Sequence, residues 1–179
     1  MTEGGPTTGG GLAIIYKNGI SVRTHPINDL LHPSLFELQL VKVTSCAKSV
    51  TLVNIYRPPS RALCSAFFDE LSDAIGAVVA GSSDPLLLCG DLNCPGTVSS
   101  AVDARLTDVF TTFRLTQLVH SATRDTNLLD MVVTDSTVAV TNVQVSDAGL
   151  ASDHRLVTAK LGLHPPAHSA IPVNFRRIA

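Results

Sequence analysis

The chain is 179 residues long, 45% hydrophobic, 16% charged and 4% aromatic, which excludes a miniprotein or a disordered tail and suits one domain. A domain of this size buries roughly 70% of the surface that its unfolded form exposes, so a core forms without disulfides or metal staples. Thirteen Lys plus Arg against fifteen Asp plus Glu give a formal charge of -2, which excludes a strongly basic nucleic-acid carrier and leaves only local binding of nucleic acid.

Residues 1–11 are Gly-rich and aperiodic and read as a lead segment. Leu12 to Tyr16 and Ile20 to Thr24 read as a hairpin around Asn18-Gly19, a pair suited to a turn with positive φ. Alternation over Leu35 to Val43 and β-branched residues over Val50 to Tyr56 predict two further strands and an antiparallel meander. After Pro58-Pro59, the three- and four-residue spacing of Phe67, Phe68, Leu71, Ala74, Ile75 and Val78 predicts an amphipathic helix over Cys64 to Val79. Pro85 to Cys89 reads as a buried strand, Arg105 to Phe113 as a second helix, and Leu128 to Thr134, Val138 to Val145 and Arg155 to Leu163 as the closing strands. His164-Pro165-Pro166 ends the packed region, and residues 164–179 read as a linker-like tail. Strands interrupted by a few helices predict an α+β or layered α/β domain over residues 12–163.

The cysteines Cys46, Cys64, Cys89 and Cys94 form no CxxC pair and have no His at zinc-ligand spacing, so they read as reduced, mostly buried thiols. No apolar run reaches the length of about 18 residues that a membrane span needs, and the lead lacks the apolar centre of a signal peptide. The expected setting is intracellular, away from membranes.

Four polar clusters sit at strand ends, where a rigid sheet can hold side chains against a cleft. The first, Asn54-Ile55-Tyr56-Arg57-Pro58-Pro59, offers a phenol and a guanidinium that suit a phosphate; a half-buried Tyr beside an exposed Arg is the plain alternative. In the second, Gly90-Asp91-Leu92-Asn93, an extended backbone puts Asp91 and Asn93 on one side, about 7 Å apart. A carboxylate that takes a proton from water and an amide that donates to phosphate oxygen are what phosphodiester hydrolysis requires, although Asp-x-Asn is also an ordinary Asx turn. The third is Asn127-Leu128-Leu129-Asp130 and the fourth Ser152-Asp153-His154-Arg155. At a loop-to-strand junction one member of the Asp153-His154 pair can ligate a divalent metal while the other reaches phosphate, and Asp130 is a suitable acceptor for the second ring nitrogen of His154. The alternative is an Asp-His pair that merely caps a loop.

Taken in order, NIYRPP, GDLN, LLD and SDH resemble the endonuclease/exonuclease/phosphatase superfamily. The YRPP, LLDMVVT and SDHRLV segments and the Gly9-Gly10-Gly11-Leu-Ala-Ile-Ile opening look most like the apurinic-type endonuclease domains of non-LTR retrotransposons, from about Gly9 to Leu163. The resemblance implies an α+β fold of two mixed β-sheets packed face to face with helices outside, and magnesium-dependent nicking of DNA, with manganese as the other candidate cation. It implies that Asp91 orients or deprotonates water, that Asn93 and Tyr56 contact the phosphate, that His154 hydrogen-bonds it, that Asp130 orients His154 and that Asp153 ligates the metal. Pro59 stands where repair-type relatives have Asn, which favours the retrotransposon branch. DNA and a reverse transcriptase in a parent polyprotein are the implied partners, and the nucleus the implied compartment for action on genomic DNA.

The family's first Asn-bearing strand and its metal-binding Glu have no counterpart here, since Glu3, Glu37 and Glu70 lie in the lead, a strand and a helix. The expectation is therefore a domain incomplete at its N-terminus, with impaired metal binding and nicking. An inactive fragment serving as an interaction module and a phosphoesterase of the same superfamily are the rival readings.

Overall fold

The computed structural model describes residues 11–45, 48–61, 63–135, 140–149 and 152–162. The glycine-rich lead through residue 10 and the tail from residue 163 lie outside the described residues, as does Cys46.

Strands β1 (Ser21–Thr24), β2 (Glu37–Ser45) and β3 (Lys48–Tyr56) form the expected antiparallel meander. Leu12 to Tyr16, expected to be the first strand of a hairpin, is not a strand. The Asn18-Gly19 turn does form, with Gly19 at φ 93° and Ile20 N donating to Lys17 O at 3.3 Å, but β1 pairs with β2 instead. Leu-Ala-Ile-Ile-Tyr is apolar on both faces, a pattern that needs cover on both sides, and Ile15 is 96% exposed.

Helix α1 (Ser65–Gly81) follows and buries Phe67, Phe68, Leu71, Ala74, Ile75 and Val78, the six positions that the periodicity marks. It carries the chain across to β4 (Leu86–Asp91), which lies parallel to β3. Helix α2 (Ala104–Thr112) is capped by the Asp103 side chain, which accepts from Arg105 N, and buries Leu106, Val109 and Phe110. Strands β5 (Thr116–Gln117) and β6 (Asp130–Thr134) complete a sheet in the order β1-β2-β3-β4-β6-β5, and β5 is too short to leave a periodic signal. A second, antiparallel sheet pairs β7 (Val140–Ser146) with β8 (Leu156–Leu161), with a register shift between Thr141 and Gln144. Val143, Val145, Val157 and Ala159 from this sheet pack against the core, giving the expected α+β, two-sheet fold class.

The strand register decides which residues share a face. Leu40, Val53, Leu88 and Val133 stand side by side across β2, β3, β4 and β6, each 2% exposed or less, in one core cluster with α1. Three residues along, and so on the opposite face, the same ladder aligns Glu37, Tyr56, Asp91 and Asp130. Cys64, Cys89 and Cys94 are free thiols, and burial pushes those of Cys89 and Cys94 up to about 11, so neither is a ready nucleophile.

Candidate active site

Asp91 ends β4 one residue after Gly90, whose φ is 134°. A Cβ on Gly90 would lie 1.9 Å from Ile55 O, so only glycine lets β3 and β4 close at this level. The chain then turns sharply through Asn93, itself at φ 48°, and an Asx turn does form: Asp91 Oδ1 accepts from Asn93 N at 3.0 Å. The Asn93 side chain folds back as well, its Nδ2 donating to Asp91 Oδ2 and to Arg57 O, both at 2.9 Å. The turn and the functional reading of this motif are thus compatible, because the turn is what brings carboxylate and amide together.

His154 reaches this carboxylate from the far end of the chain. Its Nδ1 lies 2.8 Å from Asp130 Oδ2, and its Nε2 lies 4.0 Å from Asp91 Oδ2. Since an ionised Asp130 only accepts, the Nδ1 proton belongs in that bond, and Nε2 is the ring nitrogen turned toward Asp91. Asp91, Asp130 and His154 each offer a ligand atom, all within 4.8 Å of one another. Tyr56 is half-buried and adjoins Asp91 in the β3–β4 register.

Asp153 stands apart from this group. Its side chain is 65% exposed and pairs with Arg124 at 2.5 Å. Arg57, read from the sequence as a phosphate partner or an exposed strand-end residue, is not exposed. It is 4% exposed, and its guanidinium donates to Leu92 O at 2.8 Å, to Arg61 O at 2.6 Å and to Asn93 O. The sequence also left Thr123, Arg124 and Arg155 without roles. Thr123 is fully buried, Arg155 Nη1 donates to Ala122 O at 2.7 Å, and no local motif announces contacts that span 33 residues.

Burial raises the Asp91 carboxyl above the ordinary aspartate value and the nearby Asp130 charge raises it further; the Asn93 hydrogen bonds and His154 oppose both. A carboxylate tuned upward accepts a proton more readily, which suits a general base. Because the Asp130 charge raises the Asp91 carboxyl, Asp130→Asn should lower the Asp91 titration midpoint. Carboxyl-carbon NMR titrations of the two proteins check this; an unchanged or higher midpoint would contradict it.

With the site in view, the comparisons give its class. The sequence model of the endonuclease/exonuclease/phosphatase family matches residues 2–154, and the chain belongs to that family. Its fold is similar to the endonuclease domain of TRAS1, a telomere-specific non-LTR retrotransposon, with TM-score 0.65 and 19% identity over 83% of this chain and 72% of that one. It also resembles an endonuclease/exonuclease/phosphatase family protein from Leptotrichia buccalis C-1013-b, with TM-score 0.52 and 11% identity over 69% of this chain and 53% of that one. No curated protein matches the chain in sequence. Among the described residues no helix is long and apolar enough to cross a membrane.

Proposed function

We propose that the chain is a divalent-cation-dependent endonuclease that nicks DNA by phosphodiester hydrolysis, and that the nick primes reverse transcription in a retroelement. The observation that carries this reading is the His154 imidazole set between two carboxylates, 2.8 Å from Asp130 and 4.0 Å from Asp91, with the Asn93 amide alongside. In the reaction water forms a bond to phosphorus, the bond from phosphorus to the 3'-oxygen breaks, the departing oxygen takes a proton from solvent, and the products are a 3'-hydroxyl and a 5'-phosphate. Asp91 orients the water and takes its proton, as its raised affinity for protons favours. His154 in its imidazolium form donates from Nε2 to the phosphate oxygens where negative charge accumulates, while Asp130 accepts from Nδ1 and fixes the ring's orientation; Asn93, whose two amide hydrogens go to Asp91 and Arg57 O, meets phosphate by giving up one of them. Tyr56 adds a phenol from the neighbouring strand.

Of the three groups within 4.8 Å of one another, the two carboxylates suit magnesium or manganese, which take one or two carboxylates together with water and phosphate oxygens. Asp91 and Asp130 would hold such a cation, with Asp153 as a further carboxylate if it leaves Arg124, and the His154 imidazole stays free for the phosphate. When bound, the cation supplies positive charge that offsets the phosphate. Beside Asn93 an open cleft of about 440 Å³, lined by Arg57, Arg124, Asn127 and Leu129 among others, has room for a nucleotide unit. The likeness to a retrotransposon endonuclease domain supports DNA as substrate, a reverse transcriptase as partner and the nucleus as compartment.

The test is conversion of supercoiled plasmid to nicked circles in magnesium or manganese, with chelator as control, followed by polymerase extension from the nick. Extendable nicks that require the cation are expected at a low rate, because Glu3, Glu37 and Glu70 do not stand where the family's metal-binding Glu would. Release of phosphate from inositol phosphates without plasmid nicking would replace this reading with a phosphatase, and no turnover of either would leave the site without this chemistry.

A further inference from the structure

Asp130 begins β6 and His154 precedes β8, and these strands belong to different sheets with no ladder between them. Something other than strand pairing must therefore set the 2.8 Å contact between the two side chains. We infer that Thr123 is a positioning residue that aligns Asp130 with His154, a role that rests on the function proposed above.

Its two oxygens touch the backbone beside both partners. Thr123 Oγ1 accepts from Asp130 N and from Leu129 N, each at 3.0 Å. Thr123 O accepts from Arg155 N, the residue after His154, at 2.7 Å. The Arg155 side chain returns to Ala122 O at 2.7 Å, doubling the tie on the His154 side. Thr123 itself is held by a tight turn, with Thr123 N donating to Asn127 O and Asn127 N to Arg124 O, both at 2.8 Å. Thr126 O in that turn accepts from Ser100 N at 2.9 Å and Ser99 Oγ at 3.1 Å, so the turn is braced against the loop that follows Asn93. A residue this buried, 0% exposed, has no water to replace either oxygen's partners. Displacing the pair by about 1 Å is enough to cost a reaction of this kind on the order of 100-fold.

The experiment compares wild type, Thr123→Val, Thr123→Ser and Arg155→Ala. One readout is the low-field proton NMR signal of His154 Nδ1–H bound to Asp130, assigned with Asp130→Asn; others are kcat and KM for plasmid nicking and the melting temperature. Valine keeps the shape but removes the acceptor, so the signal should be lost and kcat fall about 10- to 100-fold with KM within about threefold. Serine keeps the oxygen and should restore both signal and kcat. Arg155→Ala removes one tie at an exposed position, so the signal should broaden and kcat fall by about tenfold. A folded Thr123→Val protein with the wild-type signal and kcat overturns the inference, as does Thr123→Ser behaving like Thr123→Val. If Thr123→Val does not fold, Thr123→Ala, which removes the same acceptor with less bulk, decides, and its matching wild type in both readouts would equally overturn the inference. If wild type turns over no DNA, the proposed function fails, while the proton signal still decides the role of Thr123.

Discussion

His154→Ala should lower kcat for DNA nicking by about 10²- to 10⁴-fold, the range spanned by loss of a positioned proton-transfer group or a charge-stabilising donor. The imidazole lies between the two carboxylates, 2.8 Å from Asp130 and 4.0 Å from Asp91. Its removal should leave the fold intact, because the side chain is 24% exposed and water can reach the Asp130 carboxylate, which is also 24% exposed. Melting temperature should then change little while rate collapses, and the two measurements together separate chemistry from folding. Asp130→Asn should fall between wild type and His154→Ala, since an amide still accepts from Nδ1 but loses the charge that fixes the tautomer. A His154→Ala rate within tenfold of wild type would remove the imidazole from the mechanism.

What the sequence made legible follows from how local each signal is. Helix α1 is marked by six apolar residues at helical spacing, and all six are buried, because a period of 3.6 needs no knowledge of the partner. The Gly-Asp-Leu-Asn motif is legible for the same reason: the glycine, the turn and the carboxylate lie within four residues, and their constraints are backbone constraints. Leu12 to Tyr16 misled because its composition is that of a strand while pairing and cover depend on the rest of the sheet.

Outside the motif residues, contacts that join distant segments left no trace. Arg57 reads as one more strand-end cation until Leu92 and Asn93 are seen across from it, 35 and 36 positions on. Asp153 reads as the metal-binding member of the Asp153-His154 pair, and its bond to Arg124 in the described site becomes visible only in three dimensions. Thr123 is an unremarked threonine in a loop, although its two oxygens reach the backbone on both sides of the proposed catalytic pair. Spacing finds the groups that do chemistry, and the fold supplies those that hold them.

Arg57→Ala should be the most destabilising single substitution around the site, costing about 2–5 kcal/mol through carbonyls left unsatisfied and the cavity left behind. The guanidinium is nearly inaccessible and satisfies the carbonyls of Leu92, Asn93 and Arg61 while lying 5.5 Å from the Phe67 ring centre. Alanine leaves Asn93 O without that donor and Leu92 O with only the weak Cys94 thiol, at about 1–3 kcal/mol for a carbonyl shut off from water, and opens a void beside Phe67. Against a total stability of about 5–15 kcal/mol for an ordinary domain, that loss brings the variant near its unfolding threshold. Arg57→Lys should recover only part of it, because a single ammonium group cannot reproduce a fork that meets three carbonyls. Urea unfolding of the three proteins with similar slopes should rank them wild type, Arg57→Lys, Arg57→Ala. A loss under about 1 kcal/mol for Arg57→Ala would mean that these carbonyls are solvated without the guanidinium. The same clamp sets the turn that carries Asn93, whose side chain donates to Arg57 O and Asp91 Oδ2, so Arg57→Lys should also lower kcat at temperatures where it remains folded.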